Sequence, residues 1–247
     1  MIRKKINKKK RGKKNKNMSN QKILFAVVAI HPEELAKYNH YFRKSHEEYA
    51  KKNGYEFKII LDYIDADNAR PQAIPLNVAL IASISGWDKY DYIAVVDPSV
   101  LIHPQAPPIH LEMTANPDKI GIVSQTIGSA EQFYQMYDLS IKTEHVLNID
   151  VFIFNPRIHG ATLDAAYTKH VDNCFYHPRQ MYYAQATIGY EILLSKSYHL
   201  LSNKWNASVH DLHMPNQYIM DFYMANYFVN FKHMPNEAIS AILPANR

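Results

Sequence analysis

Asp97 closes an uncharged run, Tyr92 to Val96, and is followed directly by Pro98 and Ser99. The run is rich in β-branched and aromatic residues, which predicts a buried strand, and the proline forbids ladder pairing beyond it. A carboxylate at the C-terminal edge of a strand in an open α/β sheet lies where ligands bind, and it can hold a divalent cation and through it a diphosphate. The plainer alternative is an aspartate that caps a turn. Other groups with chemical reach are Asp150 within Val146 to Phe154, Glu191 inside a helical pattern over residues 181–195, and the run His210-Asp211-Leu212-His213. Histidines at i and i+3 shortly before Pro215 suit surface or ligand-contact positions better than a metal pair. Glu191 also reads as an ordinary solvated helix residue.

The elements that must position these groups follow from the pattern. Residues 23–30 are continuously apolar, as expected of a central strand covered on both faces. His31-Pro32-Glu33-Glu34 then opens a helix, with proline at the first position and acids in the first turn. Leu35, Tyr38, Phe42, Ser45 and Tyr49 carry it at three- and four-residue spacing to Asn53-Gly54, a left-handed cap. Residues 57–61 resume as a strand. A right-handed, parallel β-α-β unit puts Ile30-His31 and Leu61-Asp62 on one edge. Ala29, Ile30 and His31 should therefore face a nucleotide's base and ribose, and Arg70, in the polar loop 65–71, can pair with phosphate. Arg70 suits a surface ion pair with Asp65 or Asp67 equally well. Residues 75–87 read as a helix that feeds the strand ending at Asp97, and the chain continues with a short strand at 120–124, a longer one at Val146 to Phe154, and helices over 161–174 and 181–195. A polar loop at 203–206 and an aromatic, Met-rich stretch at 217–231 complete it.

The chain has only seven glycines, and neither GxGxxG nor GxxxxGK[ST] occurs. Phosphate must be neutralised by a cation or by side chains. At 247 residues and 47% hydrophobic content the chain can bury a substantial core. The net charge of +5 arises in residues 1–16, which hold ten Lys or Arg and no acid, leaving eighteen bases against twenty-three acids in the remainder. We expect a disordered basic tail over residues 1–18, suited to peripheral contact with an anionic membrane or with nucleic acid and equally to being a plain solvated extension with Met18 as an internal start, and one domain over 19–247. The acidic body argues against nucleic acid as the main substrate. The single Cys174 excludes an internal disulfide, suits a reducing, cytoplasmic setting, and reads as a buried structural thiol.

Several stretches in order resemble nucleotide-sugar glycosyltransferases of the GT-A fold, in particular the galactosyl/mannosyltransferase type and related viral and bacterial enzymes. They are Tyr49-Ala50-Lys51-Lys52-Asn53-Gly54-Tyr55, Tyr92-Ile93-Ala94-Val95-Val96-Asp97 with Val100-Leu101-Ile102, Leu147-Asn148-Ile149-Asp150-Val151-Phe152-Ile153-Phe154-Asn155, and Ser202-Asn203-Lys204-Trp205-Asn206. The resemblance implies an α/β, Rossmann-like, mixed but mostly parallel sheet flanked by helices in a single domain. It implies transfer of a hexose from a UDP- or GDP-linked donor to a hydroxyl of a glycan or glycoconjugate, assisted by Mn²⁺ or Mg²⁺. Asp97 would be a metal ligand and His233 the second. The family's Asp-x-Asp motif is degenerate here, because Ser99 stands where the second carboxylate belongs, and a hydroxyl is a poorer ligand for these cations. Asp150 stands where the related strand usually has glycine, which puts a carboxylate near the acceptor. Asp150 and Glu191 are the candidates to accept a proton from the acceptor hydroxyl or to orient the two sugars. Tyr190, Trp205 and Tyr182-Tyr183 would stack on sugar faces where exposed. The competing readings are a non-catalytic nucleotide- or sugar-binding module of the same fold, which Ser99 favours, and a nucleotidyltransferase, which the missing glycine signature disfavours.

Overall fold

A computed structural model describes residues 21–125, 128–209 and 216–242. The basic tail at 1–18 and the His210-Asp211-Leu212-His213 run lie outside the described residues. Strand β1 (Ile23–Val28) is buried along its whole length and pairs in parallel with β2 (Glu56–Ile60) on one side and β3 (Tyr92–Val96) on the other. Beyond β3 the sheet continues through β6 (Val146–Phe154), β5 (Ile120–Gln125) and β7 (Tyr198–Leu200), in the order β2-β1-β3-β6-β5-β7. Only β6 runs against the others, since it is antiparallel to both β3 and β5, and β7 is parallel to β5. The sheet is therefore mixed and mostly parallel.

Both faces are covered, as the unbroken apolar strands require. Leu24, Ala26, Ile93, Val95, Phe152 and Phe154 point to one core, which is closed by α4 (Pro156–Cys174), α5 (Tyr183–Ser195) and a 3-10 helix (Pro71–Ser83). Phe25, Val27, Ala94, Val96, Val151 and Ile153 point to the other. There they meet α1 (Pro32–Tyr41), α2 (Arg43–Asn53) and a small sheet of β4 (Val100–Ile102), β9 (Phe228–Asn230) and β8 (Ala207–Ser208). The short helices α3 (Ala130–Gln135), α6 (Asn216–Ala225) and α7 (Asn236–Ile242) flank these layers.

Three local outcomes depart from the sequence pattern. The helix expected from Pro32 to Gly54 is broken at Phe42, whose ring is fully buried against Phe231 at 6.1 Å. Gly54 still closes its second half in the left-handed conformation at φ 69°. The helix expected over 75–87 begins earlier, at Pro71, and is 3-10 throughout with Pro75 inside. Pro75 has no N–H to donate and its ring crowds the carbonyl four residues back in α geometry, so the tighter coil accommodates it better. At Pro98 the large sheet does stop, but the chain re-extends at once: Asp97, Pro98, Ser99 and Val100 make a turn closed by Val100 N–H to Asp97 O at 3.1 Å, and β4 then joins the small sheet.

Trp205 is fully buried against Tyr227 and Phe228, so it packs the second core and is not a sugar platform. Cys174 is buried, and burial pushes its thiol up to about 11, which keeps it in the unreactive protonated form. Among the described residues no helix is long and apolar enough to cross a membrane.

Gly121 in β5 is tightly surrounded. A Cβ there would lie 2.8 Å from Ile153 Cγ2 and 2.5 Å from Met113 Sδ. Gly121→Ala is expected to lower stability by about 1–3 kcal/mol in urea denaturation, whereas Gly128→Ala, where a Cβ meets nothing within 4 Å, should be close to neutral.

Candidate active site

The turn after β3 presents Asp97, and strand pairing brings Asp150 beside it. Val96 is paired with Val151, so the next residues, Asp97 and Asp150, are neighbours, with Asp97 N–H donating to Asp150 O at 2.7 Å. A third group arrives from far along the chain. After β9 the backbone turns where Phe231 N–H donates to Ser99 O at 3.0 Å and Lys232 N–H to Asn230 Oδ1 at 2.9 Å. That turn delivers the Lys232 ammonium between the two carboxylates, 2.8 Å from Asp97 Oδ2 and 2.7 Å from Asp150 Oδ1.

The remaining carboxylate oxygens are also held. Asp97 Oδ1 accepts from Ser99 N–H at 2.9 Å and from the Ser99 hydroxyl in a short contact. Asp150 Oδ2 accepts from Asn230 Nδ2 at 2.9 Å, and Asn148 Oδ1 accepts from Asp150 N–H at 2.8 Å. The turn-capping role of Asp97 and its place in a charged cluster are thus both realised.

Burial would raise the Asp97 pKa, but the Lys232 ammonium and the Ser99 donors outweigh it and hold the carboxyl below its ordinary value. For Asp150 burial prevails over Lys232, and the Asp97 charge adds to it, so its pKa is raised. Burial opposes the charge on Lys232 as well, yet Asp150 and Asp97 together push its pKa up, and it stays an ammonium throughout the physiological range. Its side chain remains 41% exposed.

Lys232 lines two clefts at the sheet edge. A small one of about 110 Å³ is lined by Val28, Glu34, Val78, Asp97, Asp150 and Lys232. A larger one of about 480 Å³ is lined by His31, Glu34, Lys37, Pro71, Ser99 and Lys232. Glu34, half-buried in both, is raised to about 7, first by burial and then by the Asp97 charge. On the other side a groove of about 590 Å³ holds Gln125, Tyr137, Tyr182, Asn203, Asn206 and Phe222. Its link to the charged cluster is Asn206, whose Oδ1 accepts from Asn230 Nδ2 at 3.4 Å.

Of the residues singled out in the sequence, Asp97, Ser99, Asp150 and His31 gather here. Ala29 is fully buried, with its N–H bonded to Ile60 O at 2.9 Å, and Ile30 packs on the core. Arg70 lies instead over the Phe175 ring at 4.4 Å, and Asp65, its alternative partner, bonds Asn68 and Tyr167. Glu191 is buried and paired with Lys169 at 2.9 Å and His170 at 3.2 Å; it lines neither cleft that Lys232 lines. Tyr183 is buried, Tyr190 packs on the core, and Tyr182 is exposed in the groove with its hydroxyl 3.3 Å from His233 Nε2.

The groups that sequence reasoning passed over are Lys232, Asn230, Glu34 and Lys37. One signal was present, because Lys232 is the single Lys or Arg between positions 217 and 235. A lone cation in an aromatic, Met-rich stretch needs a partner.

A divalent cation, which the sequence resemblance implies, finds a poor donor set. Among the described residues no three His, Cys, Asp or Glu side chains come together as a metal group. All four carboxylate oxygens of Asp97 and Asp150 already accept hydrogen bonds, and the His233 ring faces Tyr182.

No protein-family model matches the chain, and no curated protein matches it significantly. Solved structures do. A glycosyltransferase involved in the glycosylation of the major capsid of PBCV-1 superposes with a TM-score of 0.61 at 13% identity, over 90% of this chain and 98% of that one. The galactosyltransferase LgtC, solved with donor and acceptor sugar analogs, gives 0.57 at 13% identity, over 86% and 87%. The chain thus has a GT-A-like glycosyltransferase fold, in agreement with the mixed sheet and the order of its strands.

Glu34 sets a pH dependence. Below about 7 it is mostly neutral, and above that it adds a negative charge to the cleft that holds Lys37 and Lys232. The affinity of wild-type protein for UDP or GDP, divided by that of Glu34→Gln, should fall roughly fivefold between about pH 6 and about pH 8 in calorimetric titrations. A constant ratio would show that the Glu34 charge does not act on a nucleotide in this cleft.

Proposed function

We infer that the protein is a glycosyltransferase that moves a hexose from a nucleoside-diphosphate sugar, UDP- or GDP-linked, to a hydroxyl of a glycan or glycoconjugate. The observation that carries this is the convergence of Asp97, Asp150 and Lys232 where the clefts meet, at the strand edge on which an open α/β sheet binds its ligands. The fold shared with glycosyltransferase structures supports the reading.

In the transfer, the bond from the hexose anomeric carbon to the β-phosphate oxygen breaks and its electron pair leaves with the nucleoside diphosphate. The acceptor oxygen forms the new bond to that carbon, and its proton passes to a base. Lys232 and Lys37 supply positive charge for the leaving diphosphate. Asp150 is fixed by one hydrogen bond to each oxygen and keeps a second lone pair on each, with which it can accept from a sugar hydroxyl, and Glu34, poised near neutrality, suits proton transfer. Tyr182, Asn203 and Asn206 give the opposite groove an exposed aromatic face beside amides, the combination that a sugar's apolar face and hydroxyls require. Residues 1–18 would hold the enzyme peripherally on an anionic membrane surface in the cytoplasm.

A binding module without catalysis is the second reading, favoured by Ser99 in place of a second carboxylate. Donor hydrolysis across a panel of UDP- and GDP-sugars separates the two. Wild-type protein should release nucleotide from at least one donor, and Asp150→Asn should slow that release about 100-fold with nucleotide affinity changed less than about threefold. Nucleotide binding without hydrolysis of any donor would establish the module.

A further inference from the structure

We propose that Lys232 is the resident cation of this site and that it, in place of a divalent metal, binds the diphosphate of the nucleotide donor. The inference rests on the nucleotide-sugar reading above and identifies what neutralises the phosphate within it.

Between the two carboxylates that a shared cation would bridge sits an ammonium, bonded to Asp97 at 2.8 Å and to Asp150 at 2.7 Å. It is fixed there by its own backbone, since Lys232 N–H is bonded to Asn230 Oδ1, and Asn230 Nδ2 is bonded to Asp150. Asn230 is buried, so the position of the lysine is built into the fold. An ammonium has three donors, and the carboxylates use two. The third is available to a ligand, because the side chain is 41% exposed and lines both the small and the large cleft. Lys37 lines the large cleft too, with its ammonium 3.0 Å from Met234 O. A lysine is a well-suited point-charge partner for phosphate.

Ser99 fits the same account. In place of a second metal-binding carboxylate, its N–H and hydroxyl both donate to Asp97 Oδ1, so this side of the aspartate faces a donor and has no free lone pair aimed at a cation. Two carboxylates and one ammonium leave a single excess negative charge, which Lys37 offsets while Glu34, in the same cleft, is neutral.

The test is calorimetric titration of the full chain with UDP and with GDP, in EDTA and in Mn²⁺, for wild type and Lys232→Ala. At least one nucleotide should bind wild type with affinities in EDTA and in Mn²⁺ that agree within about twofold. Lys232→Ala should lose roughly 10- to 100-fold in EDTA and regain part of it in Mn²⁺, as the vacated carboxylates accept the metal. Manganese electron paramagnetic resonance gives an independent readout: wild type should leave Mn²⁺ free in solution, and the variant should sequester it. Wild-type binding that requires Mn²⁺ would overturn the role of Lys232 while leaving the nucleotide reading intact. Failure of both nucleotides to bind wild type in either condition would overturn the nucleotide reading and this inference together. The wild-type comparison needs no substitution, so a requirement for Mn²⁺ overturns the proposal even where the alanine variant does not fold.

Discussion

Two carboxylates on adjacent strands at a sheet edge cannot both stay ionised in a buried setting unless a cation meets them, and here that cation is Lys232. Much of the second half of the molecule serves this one contact. β9 pairs with β4, the strand that follows the Asp97 turn, and with β8, so the small sheet fixes the distance from β3 to the lysine. Asn230, at the end of β9, reaches Asp150, Ser99 and Asn206 in turn and ties the register of the small sheet to the charged cluster.

The same contact explains why the large sheet is mixed. A wholly parallel sheet would present the start of β6 at its opposite edge. Because β6 runs in reverse, its interior residue Asp150 falls beside the C-terminal end of β3, and the backbone bond from Asp97 to Asp150 holds the pair in line. The clefts then open on either side of the ion cluster. The cleft lined by Lys37 and Lys232 also holds Glu34, and the groove with Tyr182 has an aromatic face and amides.

The frame was legible because its signals are local. Unbroken apolar runs fixed β1, β3 and β6, Gly54 marked a helix end, and Pro98 marked the end of a ladder. The break at Phe42 and the 3-10 coil at Pro75 were not, since each depends on how a ring is accommodated by neighbours distant in sequence or by the tightness of one turn. Among site residues the pattern is alike. Asp97 announced itself by its strand and its proline. Arg70, Glu191 and Trp205 carried the right chemistry in the right order, yet packing turned them to Phe175, to Lys169 and His170, and to the second core.

By itself the sequence determined the α/β class, the strand that carries Asp97 and the absence of a glycine phosphate loop, all properties of contiguous residues. Only the tertiary structure decided that a lysine meets the two carboxylates. Asp97 and Lys232 are 135 residues apart, and Asp150 and Lys232 are 82 apart. No spacing rule spans such intervals, because the meeting of these side chains is set by strand register in two sheets and not by the periodicity of either segment.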